Sequence, residues 1–320
     1  MHKRSLGTTG IEVSAVALGC WPIAGMTSGG VNDEDSLATL AACSDLGINH
    51  LDTAYGYGAN GESERLIARA LGRRRDEMVI ATKGGLHWRG GRQAFDASPA
   101  RLRTECEESL RRLATDRVDL LYLHAADRTT PIAESAGALK DLMDEGKTRC
   151  VGASNLSLAQ LREFAAVCPL AAYQPPYNML MREIERDTLP WCRENGVAVM
   201  VYWPLMKGLL AGRLSRDQVF PATDSRSRYP MFQGEEWIKN HDLVDALRAI
   251  AEELGTSVAN LVLRWTIHQP GITSALCGAK RAWQIEETAA GPLDPLDAEH
   301  LEQIAAALAR RGDAQTRLPV

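Results

Sequence analysis

The sequence predicts an α/β fold in which eight parallel strands alternate with helices and close into a (β/α)₈ TIM barrel, with an N-terminal β-hairpin and extra C-terminal helices. Three observations support it. Short apolar runs alternate with longer amphipathic stretches, polar residues stand where the strands end, and no linker or repeat divides the 320 residues. We expect one domain over residues 1–320, with an open doubly wound sheet as the structural alternative.

Eight short runs rich in apolar and β-branched residues are the strand candidates. Polar or glycine-containing segments bound each run, as is typical of strands buried in a parallel sheet. The predicted strands are Val13–Cys20, Ile48–Ala54, Met78–Lys83, Val118–His124, Thr148–Ser154, Leu170–Gln174, Val197–Trp203 and Thr273–Cys277.

Helical periodicity fills the gaps between these strands, and Gly or Asn follows several of the helices as a stop signal. Strands seven and eight are separated by a longer excursion that includes a polar loop, Ser215–Asn240, and a loop of that length is expected to be functional. The predicted helices are Asp35–Leu46, Glu62–Leu71, Ala100–Leu113, Ile132–Glu145, Leu158–Ala166, Arg182–Asn195, Asp242–Leu254, Ser257–His268 and Pro295–Arg310.

The two ends of the chain carry additions to the barrel pattern. Between Arg4 and Ser14, a glycine-centred turn joins two short extended pieces, which predicts a hairpin that closes the bottom of the barrel. A short polar tail follows Arg310.

Composition excludes several classes of protein. A net charge of -5 with dispersed Lys and Arg leaves no basic face for nucleic acid. No apolar stretch resembles a leader or reaches the length of a membrane helix, so we expect a cytoplasmic protein without a membrane partner. Seven single cysteines without a Cys-x-x-Cys pair, and seven scattered histidines, predict reduced thiols and no metal.

One glycine-rich motif suggests a different fold. Gly56-Tyr-Gly-Ala-Asn-Gly61 matches the G-x-G-x-x-G fingerprint of dinucleotide-binding Rossmann folds, follows a predicted strand and precedes a helix. In that fold the next strand ends on an acidic residue that binds the ribose, but here it ends on Lys83. The chain also lacks any Tyr-x-x-x-Lys pair, which rules out the short-chain dehydrogenase arrangement. We therefore reject the Rossmann interpretation.

Polar residues follow one predicted strand after another at its carboxyl end, the rim where (β/α)₈ barrels hold their active sites. Asp52 and Tyr57 follow the second strand, Lys83 ends the third and His124 the fourth. Taken singly, each has an ordinary explanation as a helix cap or a solvated side chain. Together they would be costly to bury without a function. The series continues with Ser154, Asn155, Gln174, Tyr202 and Lys280.

The four residues on the second, third and fourth strands suit general acid catalysis. A free tyrosine, with a pKa of about 10, is a poor acid at neutral pH, but a nearby ammonium stabilises its phenolate. We expect Lys83 to lower the pKa of Tyr57 in this way, and Asp52 to keep Lys83 charged. His124 would donate a hydrogen bond to the substrate oxygen. Tyr57 is then the proton donor when a carbonyl is reduced.

These residues stand in motifs that resemble those of the aldo-keto reductase family, and the similarity covers nearly the whole chain. Leu51-Asp-Thr-Ala-Tyr-Gly-Tyr57-Gly is similar to the signature around the family's catalytic aspartate and tyrosine. Ala81-Thr-Lys83 and Leu121-Tyr-Leu-His124 resemble the segments that supply its lysine and histidine, and Asp141–Asn155 resembles its run ending in Ser-Asn.

The resemblance implies an enzyme that interconverts an aldehyde or ketone and the alcohol with a nicotinamide cofactor. Ser154, Asn155 and Gln174 would hold the carboxamide, and Tyr202 would stack on the nicotinamide ring. The turn after Tyr202 would cover the pyrophosphate, and the segment from Cys277 to Thr288 would hold the adenosine end. The remaining cofactor-binding residues that it implies are Trp21, Asp52, Pro204, Leu205, Lys207, Gly208, Arg213, Gly278, Lys280, Gln284 and Glu287.

Three positions depart from the family pattern. Lys280 stands where many relatives carry arginine, and Thr288 where asparagine is usual. These differences are expected to alter the binding of the adenosine half of the cofactor. NADP(H) is favoured, and NAD(H) is the alternative. Trp203 replaces a common serine and, with Trp21 and Trp88, is expected to shape the substrate pocket.

Two other functions fit parts of the pattern. Lys83 at a strand end could form a Schiff base, as in barrel aldolases, although Asp52 would keep the amine protonated. A regulatory subunit that binds cofactor with little turnover is the second rival, although all four catalytic positions are filled. The sequence predicts a small carbonyl or alcohol as substrate without naming it, and predicts neither the oligomeric state nor the physiological direction.

Overall fold

A computed structural model of the chain describes residues 1–26 and 30–316. Eight parallel strands form a closed barrel, in which each strand pairs with its neighbours and the last pairs with the first. In order around the barrel they are β3 (Val16–Gly19), β4 (His50–Asp52), β5 (Val79–Gly84), β8 (Val118–Leu123), β9 (Thr148–Ser154), β10 (Leu170–Gln174), β11 (Ala198–Tyr202) and β12 (Ile272–Gly278).

All eight predicted strands are therefore confirmed, and the closed barrel excludes both the open doubly wound sheet and the Rossmann interpretation. The largest error in a strand is at the start of the first one. Val13 does not belong to the barrel, because β1 (Lys3–Ser5) and β2 (Glu12–Ser14) form the antiparallel N-terminal hairpin. A second hairpin, β6 (Leu86–Arg89) with β7 (Arg92–Phe95), was not predicted and follows β5 directly.

The N-terminal hairpin closes one end of the barrel, as predicted. Leu6, Ile11 and Val13 are buried in one apolar cluster with Val79 and Leu120, which lie near the starts of their strands. Because parallel strands all start at the same end, this cluster lies at the end opposite the polar rim. The rim is left as the end at which polar side chains converge.

Helices surround the barrel and bury their apolar faces against it. Ser157 illustrates how they begin, since its side chain accepts a hydrogen bond from the backbone of Gln160, whose side chain accepts one from the backbone of Ser157. The helices are α1 (Asp33–Asp45), α2 (Glu62–Leu71), α3 (Pro99–Leu113), α4 (Ile132–Asp144), α5 (Leu158–Val167), α6 (Thr188–Glu194), α7 (Gly234–Glu253), α8 (Val258–Ile267), α9 (Ala282–Ala289) and α10 (Ala298–Arg311).

Three predictions about helices need correction. The predicted helix Arg182–Asn195 is a 3₁₀ turn, Glu183–Glu185, followed by the short α6. The polar loop predicted over Ser215–Asn240 ends at Gln233, because α7 begins at Gly234 rather than at the predicted Asp242, and a 3₁₀ turn positions its start. The segment predicted to hold adenosine contains the helix α9, which was not predicted as a separate element.

The C-terminal helix α10 packs against α7, which gives the predicted extra helices a place on the outside of the barrel. The last four residues of the polar tail lie outside the described residues. Among residues 1–26 and 30–316, no helix combines the length and apolar composition that a membrane crossing requires. All seven cysteines are buried free thiols.

Candidate active site

The lysine that ends the third barrel strand is surrounded by three hydrogen-bond acceptors. Lys83 Nζ lies 2.6 Å from Asp52 Oδ2, 2.8 Å from the carbonyl oxygen of Thr53 and 3.1 Å from the Tyr57 hydroxyl. An ammonium group has three hydrogens, so these contacts use all of them. The Tyr57 oxygen accepts from Lys83, and its own hydrogen remains available for another partner.

The strand register brings these groups together. Asp52 pairs with Ala81 of β5, and Lys83 lies two residues further on the same face of that strand. Tyr57 lies in the loop after β4, which turns sharply at Gly58, whose φ of 90° favours glycine. At Gly56, a Cβ atom would lie 2.7 Å from the carbonyl oxygen of Leu86, so only glycine fits there. The glycines of the rejected motif thus shape the tyrosine loop.

Two aromatic side chains hold the ring of Tyr57 edge-on. The Trp21 ring centroid lies 5.0 Å away and that of His124 lies 5.9 Å away. His124 is just beyond β8, and its backbone N–H donates to the carbonyl of Gly84 at 2.9 Å. Its Nδ1 is buried and has no hydrogen-bond partner among the described residues. The imidazole therefore packs beside the phenol, and its Nδ1 can still form a hydrogen bond to a ligand.

Burial has the largest effect on the pKa values of Tyr57, Lys83 and His124. It raises the pKa of Tyr57 well above the ordinary value, and the charge of Asp52 raises it further. The expectation that the pKa of Tyr57 is lowered is therefore wrong, because burial and the negative charge of Asp52 raise it. Burial also lowers the pKa of Lys83, against the opposing effect of Asp52. The pKa of His124 falls well below its usual value through burial and the Lys83 charge.

Four further rim residues form a connected hydrogen-bond network. The Tyr202 hydroxyl donates to Asn155 Oδ1 at 2.7 Å, and Asn155 Nδ2 donates to Ser154 Oγ at 3.0 Å. Ser154 Oγ donates to the backbone carbonyl of Gln174 at 2.7 Å. The side chain of Gln174 instead donates from Nε2 to Asp52 Oδ1, also at 2.7 Å. The structure thus joins this network to the lysine and tyrosine.

The turn after β11 carries a run of unusual backbone conformations. Trp203, Met206 and Lys207 have positive φ values of 60°, 42° and 54°. Such strain is typical of functional loops. The turn contains Pro204, Leu205 and Gly208, which were predicted to contact the cofactor and lie together here.

The ammonium of Lys207 is held between two aromatic rings. Nζ lies 4.7 Å from the Trp203 ring centroid, 4.9 Å from that of Tyr229, and 3.4 Å from Ser225 Oγ. It makes no ion pair with any residue that the structure describes. Burial lowers the pKa of Lys207 to about 8. A half-buried ammonium that makes no ion pair within the described residues suits an anionic ligand.

The residues predicted to bind the adenosine end lie on α9 and just before it. Gly278 ends β12, and a Cβ atom there would lie 2.8 Å from Pro22. The backbone N–H of Lys280 donates to Gln284 Oε1 at 2.7 Å, which caps the start of α9. Burial lowers the pKa of Lys280, and the neighbouring charge of Arg226 lowers it further.

Arg213 and Glu287 join the segment after β11 to α9. Arg213 Nε donates to Glu287 Oε2 at 2.7 Å, and its guanidinium lies 4.9 Å from the centroid of the Trp283 ring. Both residues were predicted to contact the cofactor. Their observed partners are each other, so the pair ties the segment after β11 to α9.

Some site residues were missed by the sequence prediction. Ser225 and Tyr229, within the predicted polar loop, contact Lys207, and Tyr229 also packs on Trp203. Asp224 and Arg226 form an ion pair in the same loop. The alternation of Ser and Arg from Ser225 to Arg228 was the available signal, since clustered cations in a long loop favour an anion site.

Two predicted residues have structural partners. Trp88 lies on the second hairpin, and its indole N–H donates to the Gly56 carbonyl at 3.0 Å, bracing the Tyr57 loop. Thr288 is buried and donates to the carbonyl of Gln284, within its own helix. In the described part of the chain, no three His, Cys, Asp or Glu side chains are grouped so as to hold a metal ion.

Comparison with known proteins gives consistent results. Residues 15–309 match the Aldo/keto reductase family. The chain is 39% identical over 289 residues to "Aldo-keto reductase YhdN" of Bacillus subtilis (89% of this chain, 87% of the relative). It is 34% identical to "NADH-specific methylglyoxal reductase" of Escherichia coli (97% of this chain, 100% of the relative).

Solved structures show the same similarity. The glycerol dehydrogenase AKR11B4 from Gluconobacter oxydans superposes with a TM-score of 0.88 at 38% identity, covering 97% of this chain and 96% of the other. The holo form of an aldo-keto reductase, AKR11C1, from Bacillus halodurans superposes with a TM-score of 0.80 at 26% identity, covering 99% and 98%.

Proposed function

The chain belongs to the aldo/keto reductase family, and we propose that Tyr57 is the acid with which this oxidoreductase interconverts a small aldehyde or ketone and the alcohol. The observation that carries the proposal is the environment of Lys83. Its three hydrogens are directed at Asp52, Thr53 and Tyr57, so the phenol hydrogen is free for a substrate oxygen.

The raised pKa of Tyr57 is consistent with this role. A buried phenol keeps its proton at neutral pH and releases it only when a strong base appears beside it. When bound, a nicotinamide cofactor supplies hydride to the carbonyl carbon. The oxygen of that carbonyl becomes basic, and Tyr57 transfers its proton to it while the Lys83 ammonium stabilises the phenolate. In the direction of alcohol oxidation, the same phenolate removes the hydroxyl proton.

His124 would orient the substrate. With its pKa lowered by burial and by Lys83, the imidazole is neutral at pH 7 and carries one N–H. A neutral donor beside Tyr57 can bind a carbonyl oxygen without competing to protonate it. We therefore assign His124 to substrate orientation and Tyr57 to proton transfer.

The turn after β11 fits a cofactor with a phosphate chain. Lys207 carries a half-buried positive charge that lacks an ion-pair partner in residues 1–26 and 30–316, and Gly208 with its φ of 92° allows close approach of the backbone. Arg213 and Glu287 would cover the bound phosphates. Ser154, Asn155 and Tyr202 would hold the nicotinamide end.

NADP(H) is the favoured cofactor within this proposal. Lys280 and Arg281 lie at the start of α9, and Arg226, on the 3₁₀ turn Ser225–Arg228, is near enough to lower the pKa of Lys280. Arg226 pairs with Asp224 and Arg281 with Asp35. Three basic side chains close together suit a 2′-phosphate. NAD(H) is the alternative, and one similar protein, at 34% identity, is named as NADH-specific. Quenching of tryptophan fluorescence by NADPH and by NADH would measure the two dissociation constants, with tryptophans near the site as the reporters.

Neither rival function has a comparable observation behind it. A Schiff-base aldolase needs a free amine, whereas all three Lys83 hydrogens are engaged and one of them on a carboxylate. A subunit that binds cofactor without turnover would not need the Tyr57 hydrogen to be available. We also infer that residues 1–320 act as one catalytic unit, because the hairpin packs into the barrel and α10 packs on α7.

The test is a steady-state assay of NADPH oxidation with a panel of carbonyls that begins with methylglyoxal, glyceraldehyde and an aromatic aldehyde. We expect turnover with at least one of them, and no loss of activity on treatment with borohydride in the presence of substrate. An absence of turnover with every carbonyl and with both cofactors would overturn the proposal. Borohydride-dependent inactivation would indicate the aldolase instead.

A further inference from the structure

Gln174 makes a hydrogen bond across the whole width of the barrel. It ends β10, and Asp52 ends β4, on the opposite side of the ring of eight strands. Gln174 Nε2 nevertheless lies 2.7 Å from Asp52 Oδ1. Both residues are 2% exposed, so water does not compete for this contact. Two opposite walls of the barrel are therefore linked at the depth of the reacting groups.

The two oxygens of Asp52 have different partners. Oδ1 accepts from Gln174, and Oδ2 accepts from Lys83 at 2.6 Å. A carboxylate can rotate about the bond that joins it to Cβ. Such rotation exchanges the positions of its two oxygens or breaks the alignment of both with their hydrogen-bond donors. With Oδ1 held from the far wall, Oδ2 is fixed in the direction of Lys83. The position of the ammonium depends on this, because Asp52 is its only charged acceptor among the described residues.

We propose that Gln174 is a positioning residue for proton transfer, which holds Asp52 so that Lys83 remains directed at Tyr57. The inference rests on the proposed function, in which Tyr57 is the acid. It differs from the role that the family resemblance implies for Gln174, which is to hold the carboxamide of the cofactor. An amide has two N–H groups and one acceptor oxygen, so one N–H on Asp52 leaves an N–H and the oxygen for a second partner.

The chain of contacts continues on the other side of Gln174. Its backbone carbonyl accepts from Ser154, which accepts from Asn155, which accepts from Tyr202. The residues expected to hold the nicotinamide are thus connected, through Gln174, to the residues that move the proton. A ligand that fixes the Gln174 amide also fixes Asp52.

The test uses two variants of the full-length enzyme. Gln174→Met keeps the length of the side chain and removes the hydrogen bond to Asp52. We expect kcat at saturating cofactor to fall roughly 10- to 100-fold, part of the roughly 10² to 10⁴ that a positioned acid is worth. The solvent deuterium isotope effect on kcat should rise, because proton transfer becomes slower relative to the other steps.

For the second variant, Gln174→Glu, the inference predicts a characteristic pH dependence of kcat. The introduced carboxyl group repels Asp52 when it is ionised, whereas in its protonated form it carries an O–H that can donate to Asp52 as the glutamine does. The ratio of variant to parent kcat should therefore increase as the pH is lowered. If Gln174→Met does not fold, this ratio alone decides the question, with circular dichroism as the check on folding.

A residue that only binds the carboxamide would behave differently. The loss would appear in the dissociation constant of the cofactor, and kcat at saturation, its solvent isotope effect and the pH ratio would match the parent. That result would overturn the inference. It would leave the proposed function intact, since that fails only if the parent lacks turnover or if removal of the Tyr57 hydroxyl has no effect.

Discussion

The proposed catalytic group and the turn after β11, which we propose covers the cofactor phosphates, are built in different ways. Asp52, Lys83 and Tyr57 lie at or just beyond the ends of β4 and β5, where the strand register fixes their positions. Lys207 and Trp203 lie on a turn with positive φ values, held by contacts to a loop that is distant in sequence. The strand register of the barrel thus positions the proposed proton-transfer group, whereas side-chain contacts hold the turn after β11.

The largest effect is expected inside the barrel. Lys83→Met removes the ammonium and leaves the Asp52 carboxylate buried without its cation. Reduction should slow by roughly 10² to 10⁴ because the phenolate of Tyr57 loses its stabilisation, and the free energy of unfolding should fall by about 3 to 5 kcal/mol. Steady-state kinetics and urea unfolding measure the two effects.

Unchanged stability with lost activity would contradict the claim that this group is a rigid part of the barrel. Cofactor titration by fluorescence is the control, since the proposed binding through the turn after β11 should persist in any folded fraction of the variant.

A smaller effect, confined to binding, is expected at Lys207. Lys207→Met should raise the dissociation constant of the cofactor roughly 10-fold through loss of one charge-assisted contact, and kcat at saturation should stay within a factor of about two. If kcat falls as much as affinity, the two regions are not separable and the comparison fails.

The same residue predicts a pH dependence of binding. With a pKa of about 8, Lys207 is a cation below that pH and becomes neutral above it. Affinity for an anionic cofactor should therefore be full at lower pH and decline as the pH rises through that value. Fluorescence titrations from about pH 6.5 to about pH 9.5 measure this decline. Lys207→Arg should remove it, because arginine stays protonated over the whole range.

The smallest effect is expected at Arg213, whose ion pair with Glu287 is more than half exposed on the arginine side. Exposed pairs contribute about 0 to 1 kcal/mol, so Arg213→Ala should leave unfolding nearly unchanged. Because the pair ties the segment after β11 to α9, two segments that we propose bind the cofactor, we expect faster cofactor release from Arg213→Ala in stopped-flow experiments. Equal release rates for parent and variant would show that Arg213 does not help to retain the cofactor.

The same contrast explains how much of the structure the sequence could predict. Asp52, Lys83 and His124 were predictable because alternation along a strand and the common carboxyl end of parallel strands determine where those side chains lie. All eight strands were found for the same reason. The start of α7 could not be predicted from the sequence, because a polar loop and an exposed helix have similar composition and only packing distinguishes them.

Contacts between distant elements were not predictable. The bond from Gln174 to Asp52 joins opposite walls, and the packing of Tyr229 on Trp203 depends on how a long loop folds back. The direction of the Tyr57 pKa was predicted wrongly, because the sequence shows which charges are present but not how completely the phenol is desolvated.

The central claim is that Tyr57 donates the proton, and a pair of matched variants tests it most directly. Tyr55 lies two residues away, and its hydroxyl donates to Glu108 at 2.5 Å, away from the Lys83 group. In single-turnover experiments with NADPH and the best carbonyl, Tyr57→Phe should abolish reduction while the dissociation constant of the cofactor stays within about twofold. Tyr55→Phe should reduce the carbonyl at nearly the parent rate. Normal reduction by Tyr57→Phe, or equal losses of binding and turnover, would contradict the account.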